Sequence, residues 1–115
     1  MKTEADAKAL WDKILTTISS SPQEVCTIDS KGSNSEGKWF KVETDNNNLR
    51  IYEAEKHKPS SDLAVSRPVY EKEFISLYQN YYKWRAGTMP RTKAKGNSKN
   101  SSYIFALINQ FETQQ

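Results

Sequence analysis

The chain is poor in the residues that most covalent and metal chemistry uses. Its 115 residues include one cysteine, Cys26, and one histidine, His57. An intramolecular disulfide is excluded, and so is a paired Cys/His zinc set. Glycine is scarce: Gly32, Gly37, Gly87 and Gly96 stand apart as turn and cap residues. They build no P-loop, dinucleotide fingerprint or nucleophile elbow, and no HExxH pair is present. No apolar run approaches the roughly 18 residues that mark a membrane span, so no membrane partner is expected. The first residues lack the basic-then-apolar order of a secretory leader. With a single thiol, a reducing cytoplasm is the expected compartment. No catalytic residue, metal ligand or cofactor is assigned.

What is present suffices for one domain over residues 1–115. Apolar residues make up 36% of the chain, and a chain of this length buries roughly two-thirds of its unfolded surface. Ala7, Leu10, Trp11, Ile14, Leu15 and Ile18 recur at helical spacing, with Thr3 as N-cap and Glu4 and Asp6 in the first turn. A helix over about 4–19 follows, ended by Ser19-Ser20-Ser21-Pro22. Strands are expected over about 25–28, 38–44 and 49–55, with a hairpin turn at Asp45-Asn46-Asn47-Asn48, because Asn and Asp tolerate positive φ. Phe40 and Val42 alternate on one face, as do Leu49 and Ile51, which suits an antiparallel sheet packed on one side and wet on the other. Trp39 and Tyr52 then point to the opposite face. Residues 64–69 fit a short fourth strand, and Pro59 and Pro68 argue against a central position for it.

A second helix is expected over about 71–86, with Phe74, Leu77, Tyr78, Tyr81 and either Trp84 or Arg85 on its buried stripe and Gly87 just past its end. A final helix over about 102–113, capped by Asn100 or Ser101, carries Ile104, Leu107, Ile108 and Phe111. The fold class is therefore α+β: an N-terminal helix, a small antiparallel sheet of three or four strands, and two C-terminal helices joined by a basic loop near 88–100. The polar stretch 30–37 is expected to be a mobile loop.

The charge layout is the strongest functional clue. The formal net charge is only +3, from 17 Lys and Arg against 14 Asp and Glu. Up to Glu73 the chain holds eleven basic and thirteen acidic residues; from Phe74 onward it holds six basic residues and one acidic residue, Glu112. Those six are Lys83, Arg85, Arg91, Lys93, Lys95 and Lys99, interleaved with Gly87, Gly96, Asn97, Ser98 and Asn100. Several cations without a competing carboxylate suit the neutralisation of phosphates. Serine, asparagine and a helix N-terminus near Ser101-Ser102 add hydrogen bonds to them. The first functional expectation is thus a small non-enzymatic binding protein contacting nucleic acid or another polyanion through this loop, with Tyr82 and Trp84 as candidate stacking platforms.

Two other readings compete with it. Trp39, Tyr52, Tyr82, Trp84, Tyr103 and Phe105 exceed what one small core is expected to bury, which points to a homodimer or a protein partner. Phe105 is the sharpest case, since it falls off the apolar stripe of its helix; a helix apolar on two sides is either central or packed in a dimer. An enzyme would need Cys26 as nucleophile beside His57, or Glu53 and Glu55 as a carboxylate pair on one strand face. A buried strand cysteine, a solvated loop histidine and a soluble sheet edge explain the same residues. A sheet-and-helix pocket for a small ligand has no polar constellation to mark it.

The segment Tyr81-Tyr82-Lys83-Trp84-Arg85-Ala86-Gly87, followed by the basic loop and Lys99-Asn100-Ser101-Ser102-Tyr103-Ile104, resembles the C-terminal half of small bacterial proteins of uncharacterised function, some carried on mobile elements or gene cassettes. The likeness covers about a third of the chain. It implies a bacterial, cytoplasmic accessory protein, and it assigns no activity and no site residue.

Overall fold

The computed structural model describes residues 2–112. Helix α1 (Glu4–Ser20) begins at a reciprocal cap: the Thr3 hydroxyl accepts from the Asp6 N–H, and the Asp6 carboxylate accepts from the Thr3 N–H. This satisfies two of the donors that a helix start leaves open. Four strands follow, β1 (Gln23–Cys26), β2 (Trp39–Asp45), β3 (Asn48–Glu53) and β4 (Arg67–Val69). They form one antiparallel sheet in the order β1-β2-β3-β4. Helix α2 (Glu71–Arg85), a single-turn α3 (Arg91–Ala94) and α4 (Ser101–Glu112) complete the chain. The expected end of the last helix at Thr113 lies outside the described residues.

Registry explains why one sheet face is dry. Val25 pairs with Phe40, Val42 with Ile51 and Leu49 with Val69, so these side chains share a face, and all six are at most 2% exposed. The hairpin between β2 and β3 places Asn46 and Asn47 at φ of 51° and 68°, the handedness that a tight two-residue turn demands. Pro68 falls in β4, an edge strand, where its missing N–H costs no ladder bond.

α1 and α4 lie on the dry face, and α2 packs against both. Trp11 packs against Phe74, with ring centroids 5.3 Å apart. α4 lies deepest: Ile104, Phe105, Leu107, Ile108 and Phe111 are all fully buried. The off-stripe Phe105 is therefore the mark of a central helix, enclosed on more than one side by its own chain, and Trp84 rather than Arg85 carries the buried stripe of α2.

Three boundaries differ from expectation. β1 starts two residues earlier and stops at Cys26, because Thr27 turns into the connection leading to Gly37. A side chain at Gly37 would strike the Thr27 carbonyl at 2.1 Å, so the close crossing of those backbones requires glycine there. β3 ends at Glu53, so Glu55 lies beyond the strand. The expected basic loop contains α3, a turn of helix that starts after Pro90.

Candidate functional site

The basic segment is a strap laid along α2. Its path can be followed through four anchors. Arg91 lies over the Trp84 and Phe105 rings, 4.9 and 4.8 Å from their centroids. The Asn80 amide donates to the Ala94 carbonyl at 3.2 Å. Gly96 lies within van der Waals reach of Leu77. The Ser98 hydroxyl and the Asn100 amide both donate to the Glu73 carboxylate. The strap thus runs back from Trp84 to Glu73, a stretch of about 16 Å at about 1.5 Å per residue. Its cations form a ridge rather than a point cluster.

Six candidate cations were singled out by charge: Lys83, Arg85, Arg91, Lys93, Lys95 and Lys99. Among the described residues none of them has a carboxylate within ion-pair distance; every such pair falls on a cation from the first part of the chain. Lys83, Lys93, Lys95 and Lys99 are exposed. Arg85 is drawn to the connection after β1, with its guanidinium against Gly32, 3.4 Å from the Ser30 carbonyl and from the Tyr81 hydroxyl. Arg91 is half-buried on its two rings and donates only to the Ser101 and Ser102 hydroxyls, at 3.2 and 2.8 Å. Burial pulls its pKa down, yet a guanidinium stays charged at neutral pH.

The candidate aromatics behave differently. Trp84 and Phe105 belong to the core, at 6% and 0% exposure, stacked on one another with centroids 5.0 Å apart. That corrects their expected place as exposed stacking or interface residues: Arg91 covers the outer side of the pair. Tyr82 is half-buried beside the end of α4, where it and Tyr78 both donate to Glu112, at 2.7 and 2.8 Å, with the Lys2 ammonium over the Tyr82 ring. Burial, and then the neighbouring Glu112, push both phenols up. The Glu112 carboxyl is itself disfavoured by burial but held low by those two hydroxyls.

Trp39 and Tyr52 do face the other side of the sheet, and each is covered. His57 stacks on Trp39 at 3.9 Å and 15°, and the Lys41 ammonium sits 5.4 Å from the Tyr52 ring centre. The same face holds a latch that no local pattern announces. Glu24, its side chain 7% exposed, accepts from the backbone N–H groups of Glu55, Lys56 and His57, and from His57 Nδ1 at 2.7 Å. Burial opposes its charge, but the His57 bond and the three N–H groups outweigh that and hold the carboxyl down to about 2.

The enzyme constellations do not assemble. The Cys26 thiol is turned to the Asn34 carbonyl at 3.8 Å and raised by burial, while His57 is committed to Glu24. Glu53 accepts from the Leu63 N–H, and Glu55 pairs with Lys41. Among the described residues no group of three His, Cys, Asp or Glu could hold a metal ion, and no helix is long and apolar enough to cross a membrane.

Between β4, the first turns of α2 and the end of the strap lies a groove of about 910 Å³, lined among others by Arg67, Tyr70, Lys72, Glu73, Lys99 and Asn100. Of these only Lys99 was marked by the charge layout. Arg67 and Lys72 belong to the mixed-charge first part of the chain, and Tyr70 precedes the apolar stripe of α2. Nothing local in sequence brings them beside Lys99; the Arg67 guanidinium does so by donating to the Lys99 carbonyl at 3.2 Å. No family model, no curated protein and no solved structure matches the chain.

Proposed function

We infer that this is a non-enzymatic binding protein whose strap, from Arg91 to Lys99, contacts the phosphates of a nucleic acid. One observation carries the reading: the six strap and α2 cations have no carboxylate partner among the described residues, although the chain holds 14 acidic residues. Unneutralised cations spaced along a ridge match a ligand whose charges are themselves spaced along a backbone, and each contact releases a counterion. Folding keeps the ridge in place through contacts that do not involve its lysines, with Arg91 on its rings and Ser98 and Asn100 donating to the Glu73 carboxylate. The surface lysines are therefore left for a partner.

Self-association through exposed aromatics has less to stand on. Of the six aromatics considered, Trp84 and Phe105 are in the core, Tyr103 packs edge-on against Phe40, and Trp39, Tyr52 and Tyr82 are partly buried against His57, Lys41 and Lys2. The test is binding of a labelled oligonucleotide by the chain and by the Lys93→Glu, Lys95→Glu, Lys99→Glu triple variant. All three positions are exposed, so the fold should tolerate the exchange. Affinity that falls at least about ten-fold supports the reading, and affinity that survives the charge reversal removes it.

A further inference from the structure

We propose that the groove beside Tyr70 takes an unpaired nucleotide of a single-stranded nucleic acid, its base stacked on the Tyr70 ring and its flanking phosphates on Arg67, Lys72 and Lys99. This rests on the polyanion reading above and narrows it to a ligand class and a site that the charge layout did not indicate.

Burial divides the groove into rim and floor. At the rim, Arg67, Lys72 and Lys99 are exposed and have no carboxylate within ion-pair distance. Tyr70 stands among them at 53% exposure, and among the described residues it and Val65 are the large apolar side chains left exposed. As the N-cap of α2, Tyr70 makes no side-chain cap bond. The floor is of the opposite character. It contains the Glu73 carboxylate and Asn100, which is 9% exposed and whose Oδ1 has no hydrogen-bond donor among the described residues. Its amide nitrogen is used on the Pro68 carbonyl and on Glu73, so exchanging the two amide atoms would not satisfy the oxygen.

The Glu73 carboxylate repels a phosphate and favours N–H donors, while a rim of cations attracts phosphates; Asn100 Oδ1 is itself enclosed and not open to the groove. A nucleotide unites both demands with a flat ring for Tyr70, since its base edge carries N–H groups and its phosphates lie outside the ring plane. An acidic peptide satisfies the rim but brings no planar group to the tyrosine. A duplex can lie along the strap, but its base edges are paired and its ring faces stacked internally.

The experiment measures anisotropy of a fluorescein-labelled single-stranded oligonucleotide, its duplex form and a poly-glutamate peptide, with the wild-type chain, Tyr70→Ala, Tyr70→Phe and the Lys93→Glu/Lys95→Glu double variant. Tyr70→Ala should weaken single-strand binding about ten-fold, the loss expected of one stacked base. Tyr70→Phe should restore it, and duplex binding should not respond to either change. Single-strand affinity unchanged in Tyr70→Ala overturns the groove assignment, and if the double variant still loses binding, the strap reading stands without it. Poly-glutamate binding as tightly as the oligonucleotide, with the same response to Tyr70→Ala, also overturns it in favour of a protein partner. A wild-type chain that binds none of the three removes the strap reading, and the groove assignment with it.

Discussion

Lys41, on the outer face of the sheet, and Lys95, on the strap, carry the same charge in different company. The Lys41 ammonium reaches the carboxylates of Glu43 and Glu55 and lies near the Tyr52 ring, and those partners, Glu55 before Glu43, raise its pKa. Lys95 has no acidic neighbour within ion-pair distance and stands exposed. The contrast extends to other pairs of the first part of the chain, although Arg67 and Lys72 there also lack a carboxylate within ion-pair distance among the described residues. Arg50 meets Asp45, Lys8 bridges Asp12 and Glu71, and Glu24 meets His57. On the strap, contacts run instead to rings, hydroxyls and carbonyls, with Ser98 and Asn100 donating to the Glu73 carboxylate. Electrostatics in the first region hold the chain to itself. In the second, packing and hydrogen bonds without ion pairs hold the chain, and the lysine charges are left outward. A net charge of +3 hides that difference; the placement of carboxylates reveals it.

The comparison can be broken most forcefully at the core beneath the strap. Phe105→Ala removes a fully buried ring that supports both Trp84 and Arg91, and should cost about 4 kcal/mol by chemical denaturation. A loss no larger than that of a surface substitution would show that the strap does not rest on this packing.

The latch on the sheet side comes next. Glu24→Ala leaves three backbone N–H groups and His57 without their shared acceptor, which should cost about 2 kcal/mol. Its pH dependence has a definite sign. The folded carboxyl titrates near 2, below the ordinary 4.5, so its contribution is complete above about pH 4.5 and is lost as the pH falls from there toward 2. Denaturation midpoints measured across that window should fall in the wild type and stay flatter in Glu24→Gln. Parallel curves would contradict the latch.

How much of this was legible in the chain follows from the range of the interactions. Local pattern revealed α1 with its Thr3 cap, the Asn46-Asn47 turn and the edge position of the strand containing Pro68, and off-stripe Phe105 marked its helix as either central or packed in a dimer. The single turn Arg91–Ala94 escaped because it buries one side chain, Ala94, and so has no apolar period to read. Trp84 stayed open between the buried stripe and an exposed platform because its cover, Arg91, comes from across a turn. Glu24 with residues 55–57, and Glu73 with Ser98 and Asn100, are bonds between residues far apart in sequence, and such pairs leave no periodic trace. The groove escaped for the same reason: Tyr70, Arg67 and Lys99 meet only in three dimensions.

The smallest expected effect sharpens the contrast from the sheet side. Lys41→Met removes two ion pairs at a site about one-fifth exposed, yet should cost only about 0.5 kcal/mol, because partly solvated pairs contribute little. It should leave oligonucleotide binding unchanged, while a comparable loss of one strap lysine should weaken binding without touching stability. Equal binding losses at Lys41 and Lys95 would erase the distinction between the two regions.

The most direct measurement of the central claim is the salt dependence of single-strand binding in the wild type and in the Lys93→Glu, Lys95→Glu, Lys99→Glu variant. If these three lysines meet phosphates, affinity falls steeply with added salt, and the variant's slope of log affinity against log salt is shallower by about 2. Identical slopes in the two proteins, or a wild-type affinity indifferent to salt, would contradict the account.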